Sequence, residues 1–401
     1  MPANATHSSN MSPSVIVLLL SLLLGLQPVT TDLYLPALPE LTAQLSAPMA
    51  QAQLTLTALL LAFGGSQLVW GPLSDRFGRR PILLIGLAAY VLASIASSLA
   101  PSMGWLIVWR TLQGAAMGAG VMCARAIVRD LYSPTQGARV MSKGLSGLGV
   151  IACLSAPLGG LLTQWLNWRF ALLALGLFAA LTLAVVVLRF EETLQQKNPQ
   201  ALQLGTLAAT WRQILGHPTF RAFSALTAAS YGGLFTFLAT SSFVFTGVLG
   251  LSKMQYGLVM FVNSAAYIAG TFLCRHWLPR FGVRRAVAFA GVLSLCGGTL
   301  MAVLSLSGWI SIWSILLPQL IFMVGHGIHQ PCGQSGAVGP FPQAAGAASA
   351  MNGVLMMLCA FAMGGWLGGH MDGTVLPLTL GVWFWSGLIA LSAWTLVQKH
   401  G

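Results

Sequence analysis

"SDRFGRRPILL", residues 74–84, decides the architecture, because it returns in altered form as "LPRFGVRRAVAF" at residues 278–289. The pairs Phe77-Gly78 and Phe281-Gly282 stand 204 residues apart, about half of the 401-residue chain. Each stretch leaves one apolar run and opens the next. A motif repeated at half length is the mark of parallel halves, an architecture that many secondary transporters place around a central binding site.

Working outward, composition supports a membrane protein. The chain is 56% hydrophobic and only 6% charged, whereas soluble domains carry about 25% charged residues. A spanning helix needs about 20 mostly apolar residues. That rule marks twelve spans, at 14–38, 53–73, 81–99, 104–127, 140–164, 169–188, 219–247, 255–275, 286–306, 309–331, 347–368 and 374–396. The long polar connection, 189–217, divides them six and six. The expected domains are a first half at 1–188, a central cytoplasmic loop at 189–217 and a second half at 218–401. The first apolar run lacks a small-residue cleavage site, so a retained helix is expected rather than a signal peptide.

The net charge of +12 raises the question of nucleic acid. Topology answers it. With the N-terminus in the cytoplasm, sixteen Lys and Arg fall in inner loops, Arg139 among them; only Arg169 and Lys253 fall outside, and Arg110 lies within a span. This is the positive-inside pattern, and no nucleic-acid partner is needed. Both termini are then cytoplasmic. Six cysteines without a CxxC pair read as small buried hydrophobes, and no metal site is expected.

The stretch "GPLSDRFGRRP", 71–81, resembles the loop signature of the major facilitator superfamily, with Gly71, Asp75, Arg76, Gly78, Arg79 and Arg80 at its spacing. The resemblance implies that Asp75 faces the start of the eleventh helix and Arg79 faces Asp130, so that these residues latch the inner gate. A plain basic topology loop is the alternative. "RTLQGAAMGAG", from Arg110, resembles the fourth-helix signature of proton-coupled members. A structural arginine satisfied by backbone carbonyls is its alternative. "GLGVIACLSAPLGGLL" resembles the antiporter signature, carrying Gly147, Ala156, Pro157, Gly159 and Gly160; the common form has Gly where Ala156 stands. In the family this motif marks exporters. Together with "TDLYLPALPEL" at the end of span one and "RDLYSPTQGARVM" after span four, these motifs resemble the Bcr/CflA branch of drug:proton antiporters over essentially the whole chain. The implied fold is all-α, with twelve transmembrane helices in two six-helix halves.

The depth of Asp32 follows from spacing alone. Asp32 and Arg110 each lie six residues inside the outer end of their spans, about 9 Å deep at 1.5 Å per residue. If spans one and four are neighbours, as in this superfamily, the two charges can couple. An acid inside the bilayer is costly and marks function by default. The expectation is that Asp32 binds the proton and Arg110 tunes it. A structural Asp capping the helix break near Pro36 is the alternative. For substrate contact the candidates are Tyr34, Gln113, Tyr231, Phe235, Asn263, Tyr267 and His326; aromatic lining suits amphipathic ligands.

The function expected is proton-driven efflux of a small amphipathic drug or metabolite across a bacterial inner membrane by alternating access. The chain is not expected to be an enzyme. No phosphate-binding loop pattern occurs, so no cofactor is expected beyond the proton gradient, and a monomer is expected. The alternatives are a proton-coupled uptake symporter, against which the span-five motif argues, and a non-transporting receptor or scaffold. Assembly alone does not require an intramembrane Asp and Arg.

Overall fold

The computed structural model describes residues 11–401 apart from 133, 200 and 202, and the side chains of 134, 135, 138, 139, 142, 204, 206 and 343 also lie outside the description. The Arg139 charge is therefore outside it. The chain is 88% helical, with no strand among the described residues.

The helices in chain order are α1 Pro13–Asp32, α2 Leu38–Gln44, α3 Met49–Phe77, α4 Arg79–Ser98, α5 Met103–Leu131, α6 Pro134–Trp165 and α7 Trp168–Arg189. Then follow α8 Leu204–Gly216, α9 Pro218–Ser242, α10 Lys253–Leu306, α11 Ile312–Val338, α12 Ala345–His370, α13 Leu376–Leu391 and α14 Val397–His400. Among the described residues, eleven segments are long and apolar enough to cross a membrane. One of them, α10, holds two spans, because it kinks at Gly282. That makes twelve, as the hydropathy pattern predicts.

The repeated motif shows why the halves match. Gly78 (φ 112°) ends α3 and starts α4; Gly282 (φ 72°) joins the two arms of α10. A side chain disfavours positive φ, and glycine does not. Each half thus turns its second helix into its third over one glycine. Local caps set other starts: Asn167 accepts the Arg169 N–H before α7, and Ser252 with Gln255 forms a capping box before α10.

Two elements differ from the hydropathy spans. Span one does not run unbroken to Leu38. The α-helix stops at Asp32, passes through a 3-10 turn at Leu35–Ala37 and resumes as α2. Pro36 and Pro39 lack the N–H groups that a continuous helix would use. Within 189–217 the structure also forms α8, whose apolar side, including buried Ile214, packs on α9 and α12. Its thirteen residues are too few to register as a span.

Two seams join the helices before 189–217 to those after it. α3 packs along α12, and α6 packs along the first arm of α10. α1 lies against α5, α6 and α7, which brings the break at Asp32 beside α6. All six cysteines are free; Cys296 is exposed rather than buried, on an outward face of α10.

Candidate functional site

Asp32 is the last residue of α1 and is partly exposed. Thr31 Oγ1 donates to its Oδ1 at 2.8 Å. The hydroxyls of Tyr231 (α9) and Tyr256 (α10) and the thiol of Cys153 (α6) lie within electrostatic reach of the carboxylate. Gln27, one turn earlier on α1, engages the Tyr231 hydroxyl. Tyr256 is fixed in turn by Ser241, oxygen to oxygen at 2.8 Å. One acid on α1 therefore lies within electrostatic reach of two phenols from beyond the central loop.

Arg110 is not part of that group. It is fully buried, and its Nη2 donates to the Thr30 carbonyl at 3.0 Å while Nη1 donates to Gln113 Oε1 at 2.6 Å. Its guanidinium lies 4.2 Å over the Tyr34 ring. Gln113 passes the chain on to Ser94, and Thr30 bonds the Tyr90 hydroxyl. The expected coupling of Arg110 to Asp32 has no direct contact behind it: among the described residues no ion pair joins them. The reason is the helix break. Carbonyls in the last turn of a helix lack intrahelical partners, and an arginine can satisfy them. Arg110 satisfies one at the end of α1 and so fixes the turn that carries Asp32.

Two of the expected substrate contacts stand in the same cluster. Tyr34 is fully buried, with its hydroxyl 3.0 Å from Thr55 Oγ1 and its face under Arg110. Gln113 is likewise buried and committed to Arg110 and Ser94. Both are packed at the junction of α1 with α5. Asn263 accepts from Gln319 Nε2 at 3.4 Å. His326 Nδ1 sits 2.8 Å from Ser230 Oγ, between the rings of Tyr267 and Phe322. Phe235 packs where α9 meets Gly364 of α12. Of the expected contact residues, only Tyr231 stands with Asp32.

The antiporter-like residues of α6 form a seam. A β-carbon on Gly159 would stand 2.0 Å from the Leu33 carbonyl oxygen, beside Asp32, and one on Gly160 would stand 2.6 Å from that of Lys253. Gly147 makes room for the Ser21 side chain of α1, and Gly257 of α10 packs against Pro157 and the Ala156 carbonyl. Small residues let backbones approach. Here they hold α6 against α1 on one side and α10 on the other.

At the arginine-rich end, Arg79 is 1% exposed and binds three side chains through four hydrogen bonds. Nε and Nη2 donate to Asp130 at 2.8 and 3.3 Å; Nη1 donates to Asp75 at 2.6 Å and to Ser74 Oγ at 2.8 Å. Asp75 also lies 3.6 Å from Arg129, whose guanidinium reaches Gly346 at the start of α12. Arg76 stays at the surface over Phe77, and Gly71 packs beside Met122. Sequence reasoning missed the residues that complete this cluster. Glu192, just after α7, accepts the backbone N–H groups of Arg79 and Arg80 at 2.9 and 3.0 Å. Thr193 donates to Asp130, and the Asn198 N–H reaches the Asp75 carbonyl. Arg80 itself binds the Val187 carbonyl. Arg125 donates to Ser349 of α12 at 2.7 Å. The only sequence signal for Glu192 was an acid pair opening the polar connection.

Twelve apolar helices, a buried charge cluster at one end and a partly accessible acid at a helix break define a polytopic membrane transporter. The chain belongs to the Major Facilitator Superfamily, whose model matches residues 20–365. Multidrug resistance protein D of Escherichia coli is 30% identical over 340 residues, 85% of each chain. The bicyclomycin resistance protein homolog of Haemophilus influenzae is 27% identical, covering 92% of each. The chloramphenicol resistance protein of Pseudomonas aeruginosa is 29% identical, covering 86% of this chain and 82% of that one. These relatives stand where the motif resemblance to the Bcr/CflA branch put them. Among solved structures, a partially occluded inward-open form of the E. coli xylose transporter XylE superposes with TM-score 0.73 at 15% identity, over 95% of this chain and 96% of that one. An inward-facing bacterial homolog of the lysosomal transporter Spinster gives 0.70 at 15% identity, over 98% of each. At such identity these two show the fold alone.

Proposed function

We propose that this chain exports small amphipathic compounds across a bacterial inner membrane, as a monomer, in exchange for protons. The six helices before residue 189 and the six spans after 217 act as two halves that rock about a central site. The arginine-rich end faces the cytoplasm, with both termini. Asp32 is the coupling acid: it releases its proton as substrate binds and takes one up from outside. Arg110 acts through α1, by holding the end on which Asp32 sits. Asp75, Arg79, Arg80 and Asp130 latch the cytoplasmic end. The proton gradient supplies the drive, and no cofactor takes part.

One observation carries this reading. Asp32 is a partly accessible acid at a helix break, facing Tyr231 and Tyr256 from the other half. A carboxylate exchanged between water and protein at the interface of two moving bodies is the simplest proton carrier. The resistance names of the relatives make chloramphenicol and bicyclomycin the first compounds to try.

The test uses proteoliposomes with an imposed pH gradient. Added chloramphenicol or bicyclomycin is expected to dissipate the gradient through the wild-type chain and not through Asp32→Asn. Undiminished gradient loss through Asp32→Asn would remove Asp32 from the coupling role. Substrate accumulation in the direction of proton flow would replace export by uptake.

A further inference from the structure

The end remote from the arginine cluster holds an ion pair that no single sequence motif contains. Lys253 Nζ, at the first turn of α10, bonds Glu40 Oε2 of α2. It also donates to the Thr163 carbonyl of α6 at 3.3 Å. The neighbouring Met254 N–H donates to Gln164 Oε1 at 3.2 Å. All three bonds cross between the two sets of helices. The backbones touch as well, because Gly160 lets the Lys253 carbonyl approach α6.

Two features point to function rather than chance. First, this end is poor in cations: Lys253 and Arg169 are the two that the charge pattern leaves there. Arg169 is spent within its own half, on the Ser98 and Ala100 carbonyls and the Trp168 ring. Lys253 is the one that reaches across. Second, the pair is not entombed. The side chains of Lys253 and Glu40 are 29% and 17% exposed. A cavity of about 340 Å³ adjoins them, lined by Pro39, Gln164, Thr246, Leu251, Ser252 and Lys253. Water can therefore replace each partner when the two sides part. A deeply buried pair would leave uncompensated charges on opening and would resist it.

The geometry points to Glu40 and Lys253 as the clasp of the second gate, the ion pair that closes the end opposite the arginine latch and breaks once in each transport cycle. Gln164 and the Thr163 carbonyl position the lysine, and Gly160 sets the approach. The inference rests on the two-half reading of the cycle given above. Glu40 sits on α2, directly beyond the break that carries Asp32, so the clasp and the proposed coupling acid share one short stretch of chain.

The experiment measures distance rather than transport. Spin labels are placed at Gln51 and Ser307, exposed positions at this end in the two halves, in full-length chain in lipid nanodiscs. Wild type is expected to show mainly the short distance. Glu40→Gln and Lys253→Met are each expected to raise the long-distance population severalfold. The exchanged pair, Glu40→Lys with Lys253→Glu, is expected to return it toward wild type. Gly160→Val is expected to open the same end by steric contact without touching either charge. Unchanged distributions in both single variants, or an exchanged pair as open as the singles, would overturn the clasp. Because no substrate is added, a chain that opens as expected but fails to move drug refutes the exporter reading and leaves the clasp standing.

Discussion

The two ends of the molecule are held by different kinds of contact. At the arginine-rich end, Arg79 is 1% exposed and is committed to Asp75, Asp130 and Ser74, while Glu192 accepts the backbone N–H groups of Arg79 and Arg80. These bonds lie within α3, α4, α5 and the segment after α7. At the opposite end one lysine meets one glutamate, and the pair spans two sets of helices. The first arrangement is redundant and internal; the second is single and shared. A redundant internal network gives one half a fixed shape. A lone, water-accessible pair between halves contributes about 1 kcal/mol or less. That is enough to bias an equilibrium and too little to lock it.

The comparison breaks most readily at Arg79. Arg79→Ala leaves Asp130 and Asp75 without their buried cation, and removal of one partner from such a group costs about 3–5 kcal/mol. Denaturant unfolding in detergent should register that loss directly. A cost under about 1 kcal/mol would mean that the cluster is solvated, and the contrast between the two ends would vanish. By the same logic Lys253→Met should scarcely alter global stability while it shifts the label distances.

A smaller effect is expected at Glu192, which caps α4 from outside the helix. Replacing an N-terminal capping acceptor by alanine costs about 0.5–2 kcal/mol. Glu192→Ala should lower stability by that amount and should raise hydrogen exchange at the Arg79 and Arg80 amides, the two it covers. Protection unchanged at those amides would assign the first turn of α4 to other contacts and leave Glu192 without a role.

How much of this was legible beforehand depends on the range of the signal. The twelve spans follow from apolar run length, and both turn glycines, Gly78 and Gly282, stand where the repeat marks them. Arg79 with Asp130, 51 positions apart, is what the family resemblance of the 71–81 motif implies. Arg110 shows the limit. Its depth was readable, but depth says nothing about azimuth, and the guanidinium turns toward the Thr30 carbonyl and Tyr34 rather than Asp32. The break at Asp32 supplied that carbonyl, and hydropathy does not register a break inside an apolar run. Glu40 with Lys253 was invisible for another reason. Glu40 stands near the end of the TDLYLPALPEL stretch, but Lys253, 213 positions away, belongs to no motif. Only the packing of α6 on α10 brings them together.

The smallest effect separates a specific pair from the general field of that end. Asp372 lies in the connection after α12, exposed, with Thr374 donating both its hydroxyl and its N–H to the carboxylate, at 2.7 and 2.9 Å. Those hydrogen bonds hold its carboxyl below the usual range for aspartate. A depressed acid contributes what stability it has above its unfolded pKa and loses it as the pH falls through the lower folded value, so any contribution is present at neutral pH. Asp372→Asn removes one negative charge from the same end as Glu40 but breaks no bond between halves. If the clasp acts through net charge at that end, Asp372→Asn should move the Gln51–Ser307 label distances as Glu40→Gln does. If it acts through the contact with Lys253, the distribution should stay at wild type, and only a slight change in stability should appear above the acid range. Charges separated by more than about 10 Å are screened at 0.1 M ionic strength, so the same measurement in low salt is the sharper form. A shift that appears there and disappears at 0.1 M would belong to the field of the whole end; one that Glu40→Gln retains at both salts belongs to the pair.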